Sequence, residues 1–298
     1  MKVYIESLNG VLDKLIMEVY RRGDLVEKWE DADVLVLWQD VMGRLKDIAT
    51  NARMMGKKLY VAEHGLMSAN DYIPPFNRTL LAHKVMVWGE ERKKLLSKHG
   101  INNTVVTGST IFDQMKPKRI HEGKNVLFAP RHWDRELDEN LRVVEELKKL
   151  PKDVYVYSKI VEGEHDPLKY PNPIKSNRIT PSHLASCYDA LKNADVLVTL
   201  GEGTISSLAY YLDIPVVSAS CWEKKTLLGI EYNREEFFKH ITKACNMVEL
   251  EDVNKTVMDE LECPEKRRSL RLEFLNGFID YQSNKTALEK QLEVIYGN

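Results

Sequence analysis

Residues Asp195 to Ala219, DVLVTLGEGTISSLAYYLDIPVVSA, constrain the fold of this chain more than any other stretch. Asp195 opens an apolar, β-branched run to Leu200 that reads as a strand buried on both faces. The run breaks at Gly201-Glu202-Gly203-Thr204, continues as a helical pattern to Tyr211, and returns as a second strand at Ile214-Pro215-Val216-Val217. Strand, crossover helix and strand form a βαβ unit, which commits the chain to a parallel sheet. The turn also opens a helix, where unpaired backbone N–H groups and the positive end of the dipole offer a seat for a phosphate. The plainer alternative is that the glycines only close a tight connection.

The same alternation runs through most of the sequence. Strand-like runs at 3–5, 34–38, 58–61, 85–88 and 104–106 are separated by helical patterns near 10–22, 41–55, 74–83 and 90–99. Further strands at 126–128, 154–157, 196–199 and 215–217 are separated by helical patterns near 134–150, 182–193 and 204–212. This predicts an α/β protein with parallel sheets covered by helices. The polar, proline- and glycine-bearing stretch Met115–Lys124 marks a boundary, giving an N-terminal half over 1–118 and a C-terminal half over 119–298. His165–Pro181 reads as an irregular loop, and no strand is expected after residue 222, where a helical tail rich in Glu, Lys and Arg begins.

Composition narrows the function classes. Over 298 residues, 43 Lys and Arg balance 45 Asp and Glu for a net charge of −2, which argues against nucleic acid as a partner. Cys187, Cys221, Cys245 and Cys263 have no paired spacing, so they read as reduced thiols of a cytoplasmic protein, without a disulfide framework or zinc site. The expected chain has no signal peptide, and no run approaches the ~18 apolar residues of a membrane span. Asp31-Ala32-Asp33 precedes its strand and so belongs to the wrong rim for a metal site. The 201–204 turn lacks the Gly-Lys-Ser/Thr of a P-loop, and GxGxxG is incomplete at Ser206.

Candidate chemistry collects at strand ends. Glu63-His64-Gly65 follows the third strand, and a histidine there could deprotonate a hydroxyl or merely cap the turn. Asp40, ending the second strand, could join it or could serve as the N-cap of the next helix. In the second half, Arg131 and His132 follow the strand at 126–128 and suit a phosphate, or are solvated charge around a helix start. Lys159, after the strand at 154–157, is a weaker candidate of the same kind. Together with Gly201, Glu202, Gly203, Thr204, Ser206 and Ser207, these residues would line one rim of one sheet, where a pyrophosphate fits without a metal ion. Glu202 is the awkward member, since a carboxylate repels phosphate unless it turns toward a sugar hydroxyl.

At these residues the chain resembles two groups of nucleotide-sugar enzymes. Glu63-His64-Gly65-Leu66-Met67-Ser68-Ala69-Asn70-Asp71 resembles the EAGLRSGD stretch of UDP-N-acetylglucosamine 2-epimerases. Asn77-Arg78-Thr79-Leu80 with His83 is similar to their NRxL…H segment, and Val106 to Asp113 to their VTGNTVID. The same region is similar to CDP-glycerol glycerophosphotransferases, and Val126 to Asp134 resembles their LYAPTWRD more than the epimerases' HRxEN. Asp40 and Glu63 match acidic positions of the epimerases, whereas Pro75-Phe76 and Ser206-Ser207-Leu208 stand where the epimerases carry further acidic residues.

The resemblance implies a GT-B-like fold, two Rossmann-like α/β halves facing across a cleft with a helical C-terminal tail. It implies a transferase moving a glycosyl or polyol-phosphate group from a nucleotide-activated donor to a hydroxyl acceptor. His64 would be the base, while Arg131, His132, Lys159 and the 201–207 turn would hold the donor. The expected cofactor set is empty, the nucleotide-activated donor being substrate, and a homo-oligomer stays open. The alternatives are a 2-epimerase acting through Asp40 and Glu63, or an inert nucleotide-sugar-binding protein.

Overall fold

The computed structural model describes residues 1–8, 10–65, 79–114, 123–130, 137–161, 165–176, 182–200, 204–219, 225–227, 230–232, 244–280 and 283–297. At 114, 137, 176, 182–186, 204, 225–227 and 230–232 only the backbone is described. The chain divides into two compact units, Met1–Met115 with Asn276–Asn298, and Lys116–Leu275.

In the first unit, β1 (Val3–Ile5), β2 (Val34–Leu37), β3 (Lys58–Ala62), β4 (Lys84–Val87) and β5 (Thr104–Val106) form a sheet in sequential order. Every neighbouring pair is parallel, as crossover connections require. Val34, Leu35, Val36 and Leu37 are all buried, so β2 has both faces covered, which is why it reads as an unbroken apolar run. Helices α1 (Asp13–Arg21), α2 (Gly43–Met54) and α3 (Glu90–Lys98) connect the strands.

The second unit holds β6 (Asn125–Ala129), β7 (Tyr155–Val161), β8 (Pro173–Ser176), β9 (Val196–Thr199) and β10 (Val216–Ala219). A hairpin of β11 (Lys225–Leu227) and β12 (Ile230–Tyr232) stands apart, and β13 (Asn246–Val248) joins the main sheet. The six-stranded order is β13-β10-β9-β6-β7-β8, all parallel. The chain runs outward from β6 to β8 and then returns to the other side of β6 with β9. That reversal is a topological switch point, where the segments leaving two adjacent strands diverge and open a crevice. Helices α4 (Leu137–Leu147), α5 (Ser182–Leu191), α6 (Thr204–Tyr211), α7 (Val253–Glu262) and α8 (Arg268–Phe278) follow in order, the last crossing the boundary between the units along the chain. One face of this sheet, with Val126, Phe128, Ile160, Val196, Val198 and Val217, packs a core with Val143, Val144 and Leu147 of α4 and Val253 and Val257 of α7.

The structure corrects four expectations. The segment expected as a loop contains β8, an edge strand that opens on Pro173, and the first residue of an edge strand is a place that tolerates proline. Among the described residues three short strands, β11, β12 and β13, follow residue 222. The helix expected near 74–83 is not helical over 79–83, and its remainder lies outside the described residues. Residues 276–298 belong to the first unit rather than to the C-terminal half. Helix α9 (Ala287–Tyr296) packs on α1, with Ala287 N donating to Asp113 Oδ1 (2.9 Å) and Tyr296 Oη to Asp24 Oδ2 (2.7 Å). A capping box of Thr286 and Glu289 starts that helix, and its buried Ala287, Gln291, Leu292 and Ile295 need a surface that α1 supplies.

Candidate functional site

His64 stands two residues beyond the ladder that ends β3, at the carboxyl end of the central strand of the first sheet. Its Nδ1 lies 3.3 Å from the carbonyl oxygen of Trp38, and its ring meets the Trp38 indole edge-on with centroids 4.9 Å apart. A carbonyl only accepts, so Nδ1 carries the proton and donates it, which leaves Nε2 as the basic nitrogen. The ring is partly exposed, yet desolvation lowers its pKa to about 4, with the Trp38 bond opposing. It is therefore neutral at pH 7, the state a proton acceptor needs.

The depressed value has a thermodynamic consequence. Between an ordinary pKa of about 6.5 and the folded value of about 4, the unfolded chain binds a proton at His64 and the native chain does not. Stability must then fall as pH drops through that window, by roughly 3 kcal/mol at most from this group. Urea unfolding of the parent and of His64→Gln at pH 7 and pH 4 measures it. The parent should lose about that much more than the variant, and equal losses would remove the desolvated histidine from the account.

Glu63, the preceding residue, is buried and fully bonded. Its Oε1 accepts Arg92 Nε at 2.9 Å and lies 2.8 Å from Arg92 Nη2, while Oε2 accepts Trp88 N at 3.0 Å. Its carbonyl oxygen accepts the Trp88 indole N–H at 2.8 Å. Asp40 is wholly buried, and its Oδ2 accepts the amides of Leu81 and Ala82, both at 2.7 Å. This corrects the N-cap alternative for Asp40: the N-cap of α2 is Met42, with no side-chain cap bond. Both carboxylates that sequence reasoning offered as acids and bases fasten backbone.

In the second unit the switch point brings the expected donor segments to adjacent strands. Ala129 of β6 pairs with Thr199 of β9, so the chain leaves the two strands side by side, through Pro130 and Leu200. Arg131, His132, Gly201, Glu202 and Gly203 themselves lie outside the described residues, as does the side chain of Thr204. Helix α6 begins at Thr204, and in its opening turns Ser206 and Ser207 are fully buried, with no hydrogen-bond partner for Ser206 Oγ among the described residues. Lys159 lies inside β7, not after it, and is buried. It donates to the Cys187 sulfur; burial pushes that thiol's pKa up, and the lysine opposes the shift.

Sequence reasoning passed over Thr199 and Ser218. They pair across β9 and β10 at the same level as Ala129, both are buried, and Thr199 Oγ1 has no partner among the described residues. The available signal was a hydroxyl ending each of two apolar strands. Asp195 sits at the far end of β9, where its Oδ2 accepts Asn125 N at 2.8 Å, so it ties strands together away from the turn. Cys187, Cys245 and Cys263 are free thiols, and Cys221 lies outside the described residues. Among the described residues no helix is long and apolar enough to cross a membrane.

No family model matches the sequence, and no curated protein matches it. Solved structures do. The S. aureus MnaA–UDP co-structure superposes with a TM-score of 0.67 at 14% identity, over 100% of this chain and 97% of that one. The UDP-GlcNAc 2-epimerase from Neisseria meningitidis bound to UDP-GlcNAc gives 0.65 at 12% identity, over 100% of both chains. The wall teichoic acid polymerase TagF gives 0.59 at 10% identity, over 99% of this chain and 88% of that one. Likeness at such identities establishes architecture. The chain has the two-unit, Rossmann-like GT-B fold, and its structural neighbours are nucleotide-sugar epimerases and glycosyltransferases, as the sequence resemblance implied.

Proposed function

We propose that this chain is a nucleotide-sugar-dependent transferase. It moves a glycosyl or polyol-phosphate group from a uridine-diphosphate-type donor to a hydroxyl acceptor, with His64 as general base. One observation carries the reading: an imidazole neutral at pH 7, with Nδ1–H committed to the Trp38 carbonyl, ends the central strand of the first unit. The nucleotide belongs to the second unit, at the β6–β9 switch point, where the dipole of α6, Arg131 and His132 offset the diphosphate charge without a metal ion. The unpartnered hydroxyls of Thr199 and Ser206 near that rim support the assignment. UDP is favoured because the MnaA and Neisseria structures hold UDP and UDP-GlcNAc.

The epimerase alternative asks Asp40 and Glu63 to move protons at a sugar carbon. Both carboxylates accept backbone amides, and Glu63 also holds a buried guanidinium, so transfer is the better fit. Fold alone chooses neither reaction. A thermal-shift screen with UDP-, CDP-, GDP- and ADP-linked donors tests the reading. A UDP-linked donor at about 100 times its Kd should add roughly 2.7 kcal/mol, several degrees in Tm. No shift with any donor sinks the nucleotide site. Incubation with the donor in deuterated water then separates the reactions, because an epimerase exchanges the proton at sugar C2 and a transferase does not.

A further inference from the structure

We infer that Arg92 is a positioning residue for His64, acting through Glu63 and Trp88, an assignment that rests on reading His64 as the base. Arg92 lies in the first turn of α3 with no exposed surface, and the Glu63 side chain it meets is 1% exposed. A guanidinium in such a place must be paired, because an isolated buried charge is strongly disfavoured. The pairing here fixes one residue from every side. The Glu63 amide donates to Met86 O at 2.9 Å, its carbonyl accepts the Trp88 indole at 2.8 Å, and its carboxylate joins Trp88 N to Arg92.

Strand pairing accounts for the first of these bonds alone, the Glu63 amide to Met86 O, and requires none of the others. The β3–β4 ladder ends with Ala62 opposite Met86, and Glu63 lies beyond it. The clamp therefore extends order one residue past the sheet, up to the Cα of His64, while the Trp38 carbonyl and indole edge orient the imidazole from β2. Two strand ends and one helix thus converge on a single ring. Loosening Glu63 should let the imidazole tilt off Trp38 and admit water, so that Nε2 no longer holds a fixed direction.

The test follows His64 itself. In protein with 15N-labelled histidine, the parent should show one tautomer, Nδ1–H, titrating near the folded value of about 4. In Glu63→Gln/Arg92→Met, where both charges are removed together, the midpoint should rise by more than about one pH unit toward 6.5 and the two tautomers should mix. Arg92→Lys keeps the charge but loses the fork, and should give a smaller rise in the same direction should the double variant not fold. Gly23→Ala, a destabilising change at an open turn, should leave the His64 signal where it was. A folded Arg92 variant whose His64 midpoint and tautomer match the parent overturns the inference, as does an equal rise in Gly23→Ala. Turnover is scored separately as UDP release from UDP-N-acetylglucosamine. Unchanged turnover in His64→Ala defeats the base assignment while the titration still decides the clamp.

Discussion

His64→Ala should lower turnover by ~10²–10⁴-fold while donor affinity stays within a factor of about two. In barrier terms that is roughly 3–5 kcal/mol, the range expected when a positioned proton acceptor is removed and water must substitute for it. Donor affinity should hold because the residues proposed to grip the nucleotide, Ser206 and the segments leaving β6 and β9, belong to the other unit. The effect should therefore fall on kcat. The pH profile sharpens the test. A base with an ordinary histidine pKa loses activity below about 6.5, whereas His64, held near 4 by desolvation, should sustain kcat/KM well below pH 6. An acid limb near 6.5 that persists in His64→Gln would assign the chemistry to another group. Normal turnover in His64→Ala would remove the residue from the mechanism.

The candidate base was legible in the sequence because it sits at a strand end beside a glycine, a place that backbone periodicity marks. Its support was not. Arg92 lies in Glu90-Glu91-Arg92-Lys93-Lys94, which reads as a solvated helix face, and nothing local reveals that its one buried position turns inward to Glu63. Asp40 reads equally well as a cap or as a catalytic acid, and its true partners are amides 41 and 42 residues further along. Local patterning could not supply either contact, because both depend on how strands order themselves within the sheet.

The same division separates what was found in the fold from what was missed. Central strands such as β2 and β9 are covered on both faces, so burial writes itself as consecutive valines and leucines. The edge strands of the second sheet carry no such signature. Pro173, Ile174 and Lys175 of β8 are exposed, and β13 is three half-buried residues, so hydropathy treats both as loop. The C-terminal helix was recognisable as amphipathic, but its destination depends on partners such as Asp24, 272 residues away from Tyr296. The donor turn was legible as a glycine-bearing helix start. The structure adds the strand order, which sets Thr199 at the end of β9 beside Ala129 at the end of β6.

That C-terminal return also makes a second large effect predictable. Gly89→Ala should destabilise the first unit by about 3 kcal/mol or more, although its φ of −158° is open to any residue. Space is the obstacle. A Cβ there would run into the carbonyl carbon of Phe278 and stand 2.6 Å from the carbonyl oxygens of Gly277 and Phe278, all backbone atoms. No rotamer change relieves such a clash, so the end of α8 must move, and with it the Asp280 N bond to Trp88 O at 2.7 Å. Gly23→Ala provides the contrast, since its φ of +74° costs about 1 kcal/mol in strain but nothing stands within 4 Å. Thermal melts should therefore drop by about 10 °C in the first variant and a few degrees in the second. Similar melts for the two would mean that Gly277–Phe278 does not seat against Gly89. The consequence reaches the site, because Trp88, the neighbour of Gly89, gives Glu63 two of its bonds. A folded Gly89→Ala protein should show the mixed His64 tautomers expected of the Arg92 variants, since the disturbance enters the same clamp from its other end.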